Sequence, residues 1–175
     1  MRAHDAWIIR FHLGDRPVTA TGTLNVQRGA SWPARMLAAA LRLPVTGTEV
    51  PLRVRIERSP TGGELWARDI GGRRLDSTQR RSGDVVTELA GPVEIRMRLT
   101  VRLDHLELTP IGGALRIGPV RIPLPRALAP HTSAVATAGA GDRPSFEVDA
   151  RIWVPSVGLL LAYRGHVHEE EAGDG

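Results

Sequence analysis

The chain has 175 residues, of which 42% are apolar, 24% charged and 4% aromatic, a balance that suits one globular domain able to bury roughly 70% of its unfolded surface. All 23 basic residues are Arg, and the chain has neither Lys nor Cys. That excludes Schiff-base, Walker-lysine and self-contained pyridoxal chemistry, and equally thiol nucleophiles, disulfides, iron–sulfur clusters and thiolate zinc sites.

Period-two alternation, the signature of a strand with one apolar face, dominates the sequence. Trp7, Ile9, Phe11 and Leu13 alternate with Ile8, Arg10 and His12, and Val18, Ala20, Gly22, Leu24 and Val26 alternate with polar neighbours. A single segment is helical. Ser31 is an N-cap, Pro33 suits the first turn, and strong helix formers run on until Pro44 and Gly47, which predicts a short helix near residues 33–43. Strands resume at Leu52, Val54 and Ile56, with weaker candidates at 63–70 and 84–90.

The longest alternation runs from Val93 to Asp104, and its phase shifts by one across Asp104-His105, the mark of a tight hairpin. Leu115 and Ile117 extend the next strand to Gly118-Pro119, and Val120 and Ile122 take the pattern up again. A turn of helix is predicted at Pro125 to Ala129. Phe146 to Val154 and Val157 to Tyr163 close the set.

The pattern predicts a mainly β domain over residues 1–168, with about nine antiparallel strands and one short helix, followed by a disordered acidic tail at 169–175. One helix cannot cover so much apolar face. The sheet is therefore expected to curl into a lipocalin-like barrel or cup, or to pair as a sandwich, which fits the same pattern. The first residues lack an apolar core of signal-peptide length, and the longest apolar runs fall far short of the roughly 20 residues of a membrane span, so a cytoplasmic protein with no transmembrane segment is expected.

The net charge is only +4. The pI near 11 reflects the missing Lys and the single Tyr, because the Arg residues interleave with acids, as in Arg53-Val-Arg55-Ile-Glu57-Arg58. Seven scattered aromatics add no stacking platform, so no nucleic-acid partner is expected. His166 and His168 share a strand face, but no third ligand can be named for a metal. Gly29-Ala-Ser31-Trp-Pro33 lacks the closing glycine of a nucleophile elbow, and Gly139-Ala-Gly141 leads to Pro144 where a phosphate-binding helix would have to start. No catalytic residue, metal or cofactor is therefore assigned.

The densest Arg cluster is Arg68, Arg73, Arg74, Arg80 and Arg81, interspersed with Glu64, Asp69 and Asp76. Arg recognises phosphate and carboxylate bidentately, which makes the cluster an anion site, and the plainer reading is a solvated hairpin balanced by its own acids. Arg68, Arg73 and Arg74, with Trp66 and Trp32, are the candidate ligand-binding residues, expected at a cavity mouth if the hairpin there forms the rim.

Several blocks in order carry a resemblance: Gly22-Thr-Leu-Asn-Val-Gln-Arg-Gly29, Leu37-Ala-Ala-Ala-Leu-Arg-Leu-Pro44, Val50-Pro-Leu-Arg-Val-Arg-Ile-Glu-Arg58, Glu64-Leu-Trp-Ala-Arg68, Ile122-Pro-Leu-Pro-Arg-Ala-Leu-Ala-Pro130 and Val157-Gly-Leu-Leu-Leu-Ala-Tyr-Arg-Gly165. Together they resemble the bacterial family of domain of unknown function 4166, over roughly Trp7 to His166. The resemblance implies a stand-alone protein or a module beside a nucleotide-binding oxidoreductase domain or membrane segments, and it brings no catalytic residues. The expected function is a non-catalytic binding module that holds a lipophilic small molecule inside the curled sheet. The alternatives are an interaction or accessory module with a protein partner, and an isomerase, cyclase or hydrolase working through Asp, His and Arg.

Overall fold

In the computed structural model, which describes residues 17–60, 62–102, 105–138 and 145–170, the described residues form eleven strands and one helix. The strands are β1 (Val18–Arg28), β2 (Gly47–Arg58), β3 (Glu64–Ile70), β4 (Arg73–Ser82), β5 (Val85–Ala90), β6 (Val93–Val101), β7 (His105–Ile117), β8 (Val120–Pro123), β9 (His131–Ala138), β10 (Ser145–Val154) and β11 (Gly158–Glu169), and helix α1 spans Trp32–Ala40. Each neighbour pairs antiparallel in the order β6-β5-β4-β3-β2-β1-β11-β10-β9-β7, and β6 pairs with β7 as well. The ribbon therefore closes on itself as a ten-stranded antiparallel barrel. Of the expected alternatives, the structure selects the barrel. The strand expected at Trp7–Leu13 lies outside the described residues.

Closure follows from the alternation. In β1, β2, β6 and β11 the inward positions are apolar and buried, among them Leu24, Val54, Met97 and Leu161. A closed sheet hides every such face and leaves no edge inside the ring. Two strands carry no apolar alternation. In β4 the inward residues are Leu75, Ser77 and Gln79, and in β9 they are Ala134, Ala136 and Ala138. Both are strands because their neighbours impose the pairing, a case of tertiary context overriding a weak local signal.

The two ends of the barrel differ. Helix α1 plugs one end, with Ala34 and Ala38 fully buried against the core. Its cap is Ser31, whose Oγ accepts from the Ala34 amide at 3.3 Å and donates to the Val157 carbonyl at 2.9 Å. Replacing Ser31 by Ala removes the cap and the tie to the β10–β11 turn, and is expected to lower stability by about 1–2 kcal/mol in urea unfolding. A loss within error would show that burial of Ala34 and Ala38 alone fixes the helix.

Strand β7 is long enough to serve two neighbours along one edge. Its first half pairs with β9, and its second half pairs with β8 outside the ring. The β8 arm is tied down by Glu94, whose side chain is only 3% exposed and accepts from Arg116 Nε at 2.7 Å and Arg121 Nε at 2.8 Å. Burial works to raise the Glu94 pKa, but the two arginine hydrogen bonds and their charges outweigh it and hold the carboxyl below its usual range. Beyond β8, the chain makes one helical turn, with the Leu128 and Ala129 amides both donating to the Pro125 carbonyl at 2.9 Å. This is the turn predicted at that place.

Candidate functional site

The inner wall formed by β3, β4 and β5 is polar, unlike the rest of the interior. Alternation sends Trp66 and Arg68 inward from β3, Ser77 and Gln79 from β4, and Glu88 from β5. The register places Trp66 opposite Ser77 and Gln79 opposite Glu88. Arg68 Nη2 donates to Glu88 Oε1 at 3.1 Å, and its Nη1 donates to Ser77 Oγ at 2.9 Å. Ser77 Oγ in turn donates to Glu88 Oε1 at 2.6 Å, while Gln79 bonds the same carboxylate. The guanidinium lies 4.8 Å from the Trp66 ring centroid, within cation–π range.

Arg68 and Glu88 are 18% and 13% exposed at their side chains, so the pair is largely withdrawn from water. Burial would push the Glu88 carboxyl up, but the Arg68 charge and the bonds from Ser77, Arg68 and Gln79 hold it below its usual range. Tyr163, from β11, closes the cluster. Burial pushes its phenol above the ordinary range, with Arg68 opposing and Glu88 adding to the shift.

Above this cluster, at the end of the barrel away from α1, lies a cavity of about 380 Å³. Val86, Leu99 and Leu108 form its apolar side, and Arg58, Glu64, Gln79, Arg80 and Arg81 its polar side. Gln79 belongs to both the cavity wall and the buried cluster. Glu64 accepts from the Trp66 indole N–H at 2.9 Å. Burial raises the Glu64 pKa, and the bond from Trp66 and the charge of Arg58 offset the rise only in part. Two carboxyls close to one cavity are thus shifted in opposite directions, Glu64 upward and Glu88 downward.

The expected ligand residues separate. Trp66 and Arg68 come together inside the barrel, directly beneath the cavity. Arg73 and Arg74 sit at the far end of β4, beside the Gly71-Gly72 turn, and Arg74 is exposed and engaged with Asp76 at 2.8 Å. Trp32 is 75% exposed on α1. From the same Arg cluster, it is Arg80 and Arg81 that reach the cavity. His166 and His168 face outward from β11, near Glu147 and Thr21 respectively, and the described residues contain no group of three or more His, Asp or Glu suited to a metal. Glu88, Ser77, Gln79 and Tyr163 were not among the sequence candidates, because only strand register brings them to Arg68.

Fold and site together define a closed antiparallel β-barrel with a half-polar interior and an apolar-to-basic cavity at one end. The chain belongs to the family described as domain of unknown function DUF4166, whose model matches residues 7–167. No curated protein and no solved structure matches it.

Proposed function

We propose that the barrel is a binding module for a small amphiphile, with its lipophilic part against Val86, Leu99 and Leu108 and its anionic end toward Arg58, Arg80 and Arg81. The observation that carries this reading is the two-sided lining of the cavity. Its volume falls in the range of small-molecule sites, which are mostly apolar with a few placed polar groups. Three guanidiniums against one carboxyl of raised pKa make the polar side cationic, and guanidinium suits carboxylate, sulfonate or phosphate.

Native mass spectrometry of freshly purified protein, with and without added decanesulfonate, tests the reading. One bound amphiphile per chain, retained natively and lost on denaturation, is the expected result. The sulfonate should bind about tenfold more tightly than decanol, a difference of about 1.4 kcal/mol. Its affinity should rise as the pH falls through the raised pKa of Glu64, because a neutral Glu64 no longer repels the head group. Glu64→Gln should abolish that pH dependence while keeping an oxygen for the Trp66 N–H. Absence of any adduct, together with no binding of either probe, would end the proposal.

A further inference from the structure

The end of the barrel sealed by α1 carries most of the exposed large apolar side chains, and we infer that this end is a docking face for an anionic lipid surface. Trp32 and Met36 lie one turn apart on the outer side of α1, 75% and 62% exposed, with Val45 on the segment that follows. Leu128 stands exposed on the Pro125–Ala129 turn, and Val120 and Ile122 on β8.

These pieces form one surface. Ser31 at the start of α1 donates to Val157 of the β10–β11 turn, and the Ser156 amide in that same turn donates to the Ala127 carbonyl at 3.0 Å. The Leu124 amide donates to Gly113 at 3.0 Å and anchors the chain leaving β8. A continuous set of hydrogen bonds, the first from the Ser31 side chain and the others between backbone groups, therefore joins the start of α1 to the Pro125–Ala129 turn and the arm.

Charge selects the partner. No acidic residue occurs between Asp15 and Glu49, between Glu107 and Asp142, or between Asp149 and Glu169, and these three stretches supply α1, β8, the Pro125–Ala129 turn and the β10–β11 turn. Arg35, Arg42 and Arg126 stand there exposed, with no ion-pair partner among the described residues, whereas Arg116 and Arg121 are neutralised by Glu94. Exposed Trp, Met and Leu beside unpaired guanidiniums match the layering of a bilayer interface, where apolar side chains enter the acyl boundary and cations meet anionic head groups. No helix among the described residues is long and apolar enough to cross a membrane. The outer faces of β2 and β6 present Arg53, Arg55, Arg96 and Arg98 to solvent, so the contact is made on the surface, with α1 lying in its plane. The cavity is at the opposite end of the barrel, so the face does not depend on the proposed amphiphile site.

Co-sedimentation of the full chain with vesicles tests this, using phosphatidylcholine alone and phosphatidylcholine mixed with phosphatidylglycerol. Binding should require phosphatidylglycerol and fall with added salt. The pairs Arg35→Glu with Arg126→Glu, and Trp32→Ser with Leu128→Ser, alter only exposed side chains and should each weaken binding about tenfold or more. Arg98→Glu, on the outer wall away from this face, should bind as the parent does. Equal binding to pure phosphatidylcholine, no binding to either vesicle, or folded double variants that bind like the parent would each overturn the inference. Sedimentation velocity reads the remaining case: a dimer abolished by Trp32→Ser, without vesicle binding, would assign the face to a second copy of the chain instead.

Discussion

Replacing Arg68 by Met or Glu88 by Leu is expected to lower the unfolding free energy by about 3–5 kcal/mol, while the two changes combined should lose far less. The reason is the asymmetry of a withdrawn ion pair. Either single change leaves one charge inside the barrel without its partner, whereas the double change removes both charges, fills their space with apolar side chains and leaves only the neutral Ser77 and Gln79 to find new partners. Urea unfolding of the four proteins measures the effect as a coupling in a double-mutant cycle. The pH dependence has a definite sign. The folded pKa of Glu88 lies below its unfolded value, so its contribution is fully present above the unfolded pKa and disappears as the pH falls through the folded one. Glu88→Gln should remove that part of the acid dependence. Single variants that lose less than about 1 kcal/mol would mean that water reaches the pair and screens it.

Gly165→Ala and Gly22→Ala are expected to be as damaging, about 3 kcal/mol or more each. A Cβ at Gly165 would lie 2.0 Å from the Thr23 carbonyl oxygen, and one at Gly22 would lie 1.9 Å from that of His166. Both obstacles are backbone atoms of the strand partner, so relief requires β1 and β11 to part, and the ring is held shut there. Gly112→Ala is the control, since a Cβ there meets nothing within 4 Å, and it should stay within about 0.5 kcal/mol of the parent. Thermal unfolding that ranks all three alike would show that the β1–β11 seam yields more readily than its geometry implies.

Much of the fold was legible because most strands carry the same message twice, in their apolar residues and in the turns between them. Val93 to Val101 alternates without error and is β6 in full, and the phase shift after it does separate two paired strands, with Val101 opposite Leu106. The helix was legible from Ser31 and Pro33, although its predicted range of 33–43 runs past Ala40, because Leu41 and Arg42 leave the helical path and Arg42 takes a positive φ of 54°. Strands β4 and β9 were not legible. Arg73 to Ser82 offers a single apolar inward residue, and His131 to Ala138 buries alanines while its larger Val135 faces out. Each is specified by the strands beside it.

The site was half legible for the same reason. An Arg-rich stretch between residues 68 and 81 fitted an anion site or a solvated hairpin, but in a strand the position along the chain sets both the face and the end. Arg68 points inward at mid-barrel, Arg73 and Arg74 stand at the sealed end, and Arg81 reaches the cavity thirteen residues after Arg68. Glu88 is twenty residues from Arg68 in the chain and meets it only because β4 lies between them in register. No spacing rule contains that information. A space inside the curled sheet was expected from the alternation, and the basic residues that line the cavity follow from the β2–β3 and β4–β5 turns lying at the same end.

The pairing of β1 with β11 also governs the order in which the protein can come into being. Ala20 is registered against Glu169 and Arg28 against Leu161, so the seam joins the first described strand to the last. During synthesis, β1 must leave the ribosome and wait, half its hydrogen-bonding groups unmatched, while nine other strands are made. Sequence-neighbouring hairpins can assemble meanwhile into an unclosed ribbon, but the ring forms only when Gly158 to Glu169 has emerged. Contacts this remote in sequence slow folding and prolong exposure of sticky strand edges. A nascent chain stalled short of residue 158 is therefore a ribbon with two free margins, and the strand of the ring that is translated last is the one that shuts it.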